Sequence, residues 1–240
     1  MTTYRAWNLK PLDRSALKEL TAAIAQQSTE ELENRAMETM DGEPWSEEKY
    51  QMTLAAQQKE AGLLAGILAA RGITDPAEAL TLLSGEEELT DPMLLTDMDK
   101  ACARILDAID REETIVVFGD YDVDGVTATA LLYQHLKGMG ANVKCMLPSR
   151  EGDGYGLSKN AIQSIHDKGY QLIVTVDNGI SALEEAEFAA SLGVDLIVTD
   201  HHLPHDTLPK AVAVVDPRRA DDTSPFKGLC GAGVAFKLCA

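Results

Sequence analysis

Three times in this chain a short run of apolar, largely β-branched residues ends abruptly on carboxylates. Ile115-Val116-Val117-Phe118 leads through Gly119 to the alternating acids Asp120, Asp122 and Asp124. Leu172-Ile173-Val174-Thr175-Val176 leads into Asp177-Asn178-Gly179, and Leu196-Ile197-Val198-Thr199 into Asp200-His201-His202. Runs this short, bounded by turn residues, read as buried strands, and a helical pattern or a loop follows each turn. Strand, polar turn and helix in repetition is the pattern of a parallel β-sheet flanked by helices, an α/β fold. Ligands of such sheets collect outside the carboxyl ends of the strands. All three turns are therefore expected on one edge, where they bring five carboxylates and two imidazoles together.

The first turn is the most heavily charged. Two carboxylates held about 4 Å apart at an effective dielectric near 20 repel by roughly 4 kcal/mol, and the neighbouring sequence supplies no Lys or Arg to relieve this. A divalent cation does relieve it, and oxygen donors select hard cations such as Mg²⁺, Mn²⁺ or Ca²⁺. The same D-x-D-x-D-G pattern opens an EF-hand loop. Counting Asp120 as position 1, however, places Leu131 at position 12, where that loop needs a bidentate Glu. A strand-like run also precedes it, where an EF-hand has a helix. No Lys-Ser/Thr follows a glycine-rich stretch, so a nucleotide-binding P-loop is excluded.

In order and spacing, Gly119-Asp-Tyr-Asp-Val-Asp-Gly125, Val176-Asp-Asn-Gly179 and Thr199-Asp-His-His202 resemble the successive motifs of the DHH phosphoesterase superfamily. Pro148-Ser-Arg150 with Asp153-Gly-Tyr-Gly-Leu-Ser158, the stretch Leu229-Cys-Gly-Ala-Gly-Val-Ala-Phe-Lys-Leu238, and Trp7-Asn-Leu-Lys10 are similar to its RecJ-type branch of single-strand-specific DNA exonucleases. The resemblance is dense from about residue 60 onward and loose between Ser28 and Lys59. It implies a metal-dependent exonuclease hydrolysing phosphodiester bonds of single-stranded DNA in repair and recombination, with a helicase or single-strand-binding protein as companion. The implied metal ligands are Asp122, Asp124, Asp177 and His201, with Asp120 a further candidate, around two Mn²⁺ or Mg²⁺ ions that Asp177 bridges. Asp200 is implied to orient an imidazole, and His202 to contact phosphate or protonate the leaving oxygen. Arg150, whose guanidinium suits bidentate contact with a phosphate, and the glycines of 152–156, which let backbone N–H groups approach one, are candidate phosphate contacts; an ordinary surface loop is the other reading of the glycines.

Asp216, in Val215-Asp-Pro-Arg218, stands where the family pattern is not reliably acidic and is not expected to be a ligand. In that family a further ligating Asp follows the helix that begins near Gly233, so the chain is expected to be an N-terminal part of a longer enzyme. Two other readings remain open. Small-substrate relatives, such as pyrophosphatases or phosphodiesterases of short oligonucleotides or cyclic dinucleotides, tend to place a His ahead of the first Asp pair, where this chain has Phe118-Gly119-Asp120. Catalytically silent replication scaffolds of the same fold should have lost motif acids that are all present here.

Organisation follows from the same pattern. Residues 1–112 read as a helical N-terminal region, 113–228 as the α/β core with further strands near 142–147 and 211–215, and 229–240 as the start of a linking helix. Four cysteines without CxxC spacing, and no signal peptide, point to free thiols in a cytoplasmic protein that does not enter a membrane. The net charge of −18 by itself argues against a nucleic-acid partner. Part of that excess is in the site carboxylates, which cations offset, and part in acidic stretches such as 30–33 and 86–88 that read as solvated faces.

Overall fold

The computed structural model describes residues 13–37, 46–85, 89–148 and 156–240. Residues 7–10, 86–88, Arg150 and most of the 152–156 glycine stretch, all singled out above, lie outside the described residues. The chain forms two compact units that divide between Leu89 and Thr90. The boundary expected near residue 112 is thus too late. The helix before the first strand turns Met98, Ala101, Ile105 and Ala108 onto one stripe and buries them in the core of the sheet.

The first unit is helical. Helices α1 (Arg14–Met37), α2 (Glu47–Ala70) and α3 (Pro76–Ser84) enclose a small core of Leu20, Ile24, Ala61, Ala65, Leu68 and Ala79. Ser46 caps α2 by accepting the Lys49 N–H, and Asp75 caps α3 by accepting the Ala77 N–H. Pro76 sits in the first turn of α3, where a missing N–H leaves nothing unsatisfied.

The second unit holds α4 (Met98–Asp110), β1 (Thr114–Phe118), α5 (Val123–Gly138), β2 (Asn142–Met146), α6 (Lys159–Asp167) and β3 (Leu172–Val176). It continues through α7 (Leu183–Ser191), β4 (Asp195–Thr199), β5 (Ala213–Val215) and α8 (Gly231–Cys239). The five strands pair in parallel in the order β2-β1-β3-β4-β5. Every residue of β1 and β3 is buried, because helices cover both faces; this is why those strands read as continuous apolar runs. Ile115, Val117, Val174 and Ile197 face a layer that includes Ile105 of α4, Leu132 of α5 and Val234 of α8. Val116, Phe118, Ile173 and Leu196 face the other layer, with Ile162 of α6 and Ala186 of α7. Edge strand β2 exposes Lys144 and Cys145, and an edge lysine discourages pairing with another chain.

This order sets the position of the site. The chain leaves β1 to one side through α5 to reach β2, then returns through α6 to β3 on the other side of β1. The strand order therefore reverses between β1 and β3, and a crevice opens outside their carboxyl ends. The strands end level: Phe118 lies opposite Thr175, Val176 opposite Thr199, and Thr199 opposite Val215. The ladder runs one residue further, with the Asp177 N–H donating to the Thr199 carbonyl and the Asp200 N–H to the Val215 carbonyl, each at 3.0 Å. Among the described residues, no helix is long and apolar enough to cross a membrane.

Candidate metal centre

The turn after β1 distributes its three acids by backbone geometry. Asp120 is fully buried; its Oδ1 accepts the Tyr121 N–H at 2.7 Å, while Oδ2 has no partner. Asp122 is the N-cap of α5 and accepts the Gly125 N–H at 2.9 Å, as a short polar side chain before a helix does. Asp124, in the first turn of α5, reaches across to α8. Its two oxygens accept the N–H groups of Gly231 and Ala232, each at 2.7 Å. Burial works against the charge of Asp124, yet those amides and the Cys230 thiol outweigh it and hold the carboxyl below its ordinary range.

Asp177 follows β3 in the left-handed region, at φ 62°. Few side chains tolerate that conformation, and Asp and Asn are among those that do. It is 2% exposed, and its Oδ1 accepts no aligned hydrogen bond, although the His201 ring stands beside it. Burial, reinforced by the charges of Asp124 and Asp122, pushes its carboxyl up to about 7. The next residue, Asn178, donates to the carbonyls of Phe118 and Val176 at 3.2 and 2.9 Å, tying the ends of β1 and β3 together across the crevice. Gly179, at φ 108°, allows the turn to close: a Cβ there would stand 2.6 Å from the Thr175 hydroxyl.

The third turn supplies the imidazoles. His201 Nε2 lies 3.1 Å from Asp177 Oδ1 and 3.5 Å from Asp124 Oδ2. Asp200 is buried and acts as a scaffold; Oδ1 accepts the N–H groups of His201 and His202 and lies 2.7 Å from His202 Nδ1, while Oδ2 accepts the Ile180 N–H. Burial disfavours a charged His202, but the hydrogen bond to Asp200, helped by the charges of Asp200, Asp177 and Asp216, raises its pKa above the ordinary value. The two rings stand 4.6 Å apart.

Two sets of donor atoms are close enough to share a cation: Asp120, Asp122 and Asp177; and Asp177, His201 and His202, the atoms of each set lying within 4.8 Å of one another. Asp177 belongs to both, as a bridging ligand must. Asp124 belongs to neither set, and both its oxygens are already engaged by α8, so its place among the expected ligands rests on its proximity to His201. His202, read from the sequence as a phosphate contact, joins the second set. Asp216 lies at the end of β5, buried, with Oδ1 accepting the Arg218 N–H and Oδ2 unpartnered; burial pushes it to about 7. It falls in neither set. The sequence reading missed Asn178 as a strap between strands and the amides of Gly231 and Ala232 as the grip on Asp124. The helix start at Gly231-Ala232-Gly233 was the available signal for the latter, since such starts bind anions.

The fold and the site define a doubly wound parallel α/β protein with a carboxylate–imidazole cluster at its switch point. The chain belongs to the DHH family: the model of the DHH family, N-terminal domain, matches residues 114–240. It is 43% identical over 188 residues to the single-stranded-DNA-specific exonuclease RecJ of Bacillus subtilis, covering 78% of this chain and 24% of that protein. To the RecJ of Escherichia coli it is 42% identical over 177 residues, covering 73% and 30% respectively. A crystal structure of exonuclease RecJ bound to manganese matches with a TM-score of 0.55 and 38% identity, over 60% of this chain and 37% of that one. The chain thus spans less than a third of the length of these curated relatives.

Proposed function

We propose that this chain carries the metal-binding core of an exonuclease that hydrolyses phosphodiester bonds of single-stranded DNA. The observation that carries the reading is Asp177: buried, left-handed, with an unpartnered oxygen, and common to two donor sets built from three strand-end turns. The donors fit a pair of hard divalent cations, Mn²⁺ or Mg²⁺, because they are carboxylate oxygens and imidazole nitrogens with no thiolate among them. Asp120 and Asp122 would hold one ion, His201 and His202 the other, and Asp177 both, with Asp124 at their margin. Bound there, such a pair supplies activation of water and neutralisation of phosphate charge in an in-line displacement.

The chain's own residues prepare that chemistry. Asp200 fixes the His202 ring through Nδ1, which leaves Nε2 to face a ligand or a departing oxygen. Asn178 holds the ends of β1 and β3 at a constant separation, so the two donor sets keep their spacing. The relatives named above are single-stranded-DNA-specific exonucleases or bind manganese, which supports this substrate and cation over pyrophosphate or a scaffold role. We place the protein in the cytoplasm, in DNA repair and recombination, working after a helicase or beside a single-strand-binding protein, with Arg150 as a phosphate contact. The longer enzyme of which this chain is expected to be a part, stripped of metal and given Mn²⁺, should release nucleotides from single-stranded DNA far faster than from blunt duplex or pyrophosphate, while residues 1–240 alone should turn over poorly. Comparable rates on duplex would point to another nuclease class, and rapid phosphate release from pyrophosphate to a small-substrate enzyme.

A further inference from the structure

The N-terminus of α8 lies against the site and meets it chiefly through backbone, with the Cys230 thiol beside Asp124. Its first two amides end on the two oxygens of Asp124 at 2.7 Å each. A nine-residue helix places a partial positive charge at that end, so the anion this helix start binds is a carboxylate of the protein itself. A second, sterically independent contact involves the same residue. A Cβ on Gly231 would stand 2.4 Å from Asp177 Oδ1, 2.5 Å from its Cβ and 2.6 Å from its Cγ. Gly231 is buried, Asp177 is 2% exposed, and neither can move aside without disturbing the strand end.

We infer that Gly231 and Ala232 are positioning residues of the metal centre: their amides set the orientation of Asp124, and the missing side chain of Gly231 gives Asp177 its place. The inference rests on the metal reading above. A carboxylate offers about four lone-pair sites, so two amides leave Asp124 able to accept further, but only in the direction that α8 imposes. That direction keeps Oδ2 within 3.5 Å of His201 Nε2. Asp124 and Asp177 come from different strand ends, and α8 is the element that touches both.

The two contacts can be cut separately. Gly231→Ala keeps both amides and crowds Asp177; Ala232→Pro replaces one amide N–H on Asp124 with the proline ring and adds no atom to Gly231 beside Asp177, in the first turn of the helix. Gly233→Ala is the control, since a Cβ there meets Leu229 and the Cys230 sulfur and neither carboxylate. The measurement is calorimetric titration of Mn²⁺ into metal-free protein, with the metal-free unfolding midpoint recorded for each variant. Both Gly231→Ala and Ala232→Pro should bind Mn²⁺ about 10–100-fold more weakly, the range found when groups orienting a ligand are lost. The metal-free midpoint of Ala232→Pro should stay near wild type, that of Gly231→Ala should fall because its Cβ overlaps buried Asp177, and Gly233→Ala should match wild type in both readouts. Wild-type affinity in the two variants would overturn the positioning role alone. So would a fall in the metal-free midpoint of Ala232→Pro that tracks its loss of affinity, or failure of both variants to fold, since the helix start would then be structural only. Absence of Mn²⁺ binding by the wild type would overturn the metal reading, and this inference with it.

Discussion

At the scale of single residues, Asp177 combines two properties that seldom coexist: an acid buried among other acids, and a left-handed backbone. Its carboxyl is pushed from an ordinary 3.8 to about 7 by burial and by Asp124 and Asp122. The folded, metal-free protein therefore holds a proton that the unfolded chain has already released, so stability falls as pH rises from about 4 to about 7. Replacing the acid with Asn removes the charge and keeps a residue suited to the left-handed region. Asp177→Asn should thus stabilise the metal-free protein at pH 8 by roughly 2–4 kcal/mol, since each unit by which a carboxyl is raised corresponds to about 1.4 kcal/mol. The same variant should lose Mn²⁺ binding. In the wild type, Mn²⁺ affinity should rise with pH up to about 7 and then level off. Chemical denaturation and Mn²⁺ titration across pH 5–8 check both; an Asp177→Asn protein less stable than wild type at pH 8 would refute the account of this residue.

At the scale of elements, the long connection from β5 to α8 has no regular structure, yet it delivers the helix start that holds Asp124. Two ion networks fasten it. Arg219 donates to Asp97 and Asp221 at 2.7 Å and to the Val214 carbonyl, and Asp97 stands at the head of α4 with φ 65°. Asp222 accepts the Thr96 N–H at 2.8 Å and the Ser224 N–H at 3.0 Å, and pairs with Lys227. Burial works against the Asp222 charge, but the bonds from Lys227, Ser224 and Thr96 prevail and hold its carboxyl down at about 2. A depressed folded value contributes stability that is complete above about pH 4 and disappears as pH falls towards 2. Asp222→Asn should destabilise the protein at pH 7 by about 1.5–3 kcal/mol, the range for hydrogen bonds to a charged group, with the difference closing by pH 2. A gap that stays constant from pH 7 to pH 2 would mean that the charge of Asp222 is not what matters.

At the scale of the whole molecule, the helical unit and the α/β unit each have a buried core of their own. Every described candidate ligand, together with the α8 grip on Asp124, lies in the second unit. A polypeptide of residues 90–240 should therefore fold and bind Mn²⁺ as tightly as the 240-residue chain. Calorimetry on the two proteins side by side tests this, and markedly weaker binding by the shorter one would assign the helical unit a part in the site. The charge of −18 bears on the same scale. Part of it lies in a cluster whose carboxylates are to be neutralised by cations, so it does not by itself exclude a polyanionic substrate.

What the sequence determined without the structure is what depends on neighbouring residues. Short apolar runs ending on Asp120, Asp177 and Asp200 announce buried parallel strands with ligands at their carboxyl ends, because strand burial and turn chemistry are local properties. The tertiary structure alone decided which strands are neighbours. The order β2-β1-β3-β4-β5 brings Asp122 and Asp177 to one crevice, and nothing in the spacing of the runs encodes that order. It also decided that Asp124 faces two amides more than a hundred residues away, and that Gly231 is a glycine because Asp177 fills the space of its side chain. Contacts of that kind depend on the packing of α8 against α5 and the sheet. Packing is a property of the closed core, and no window of sequence contains it.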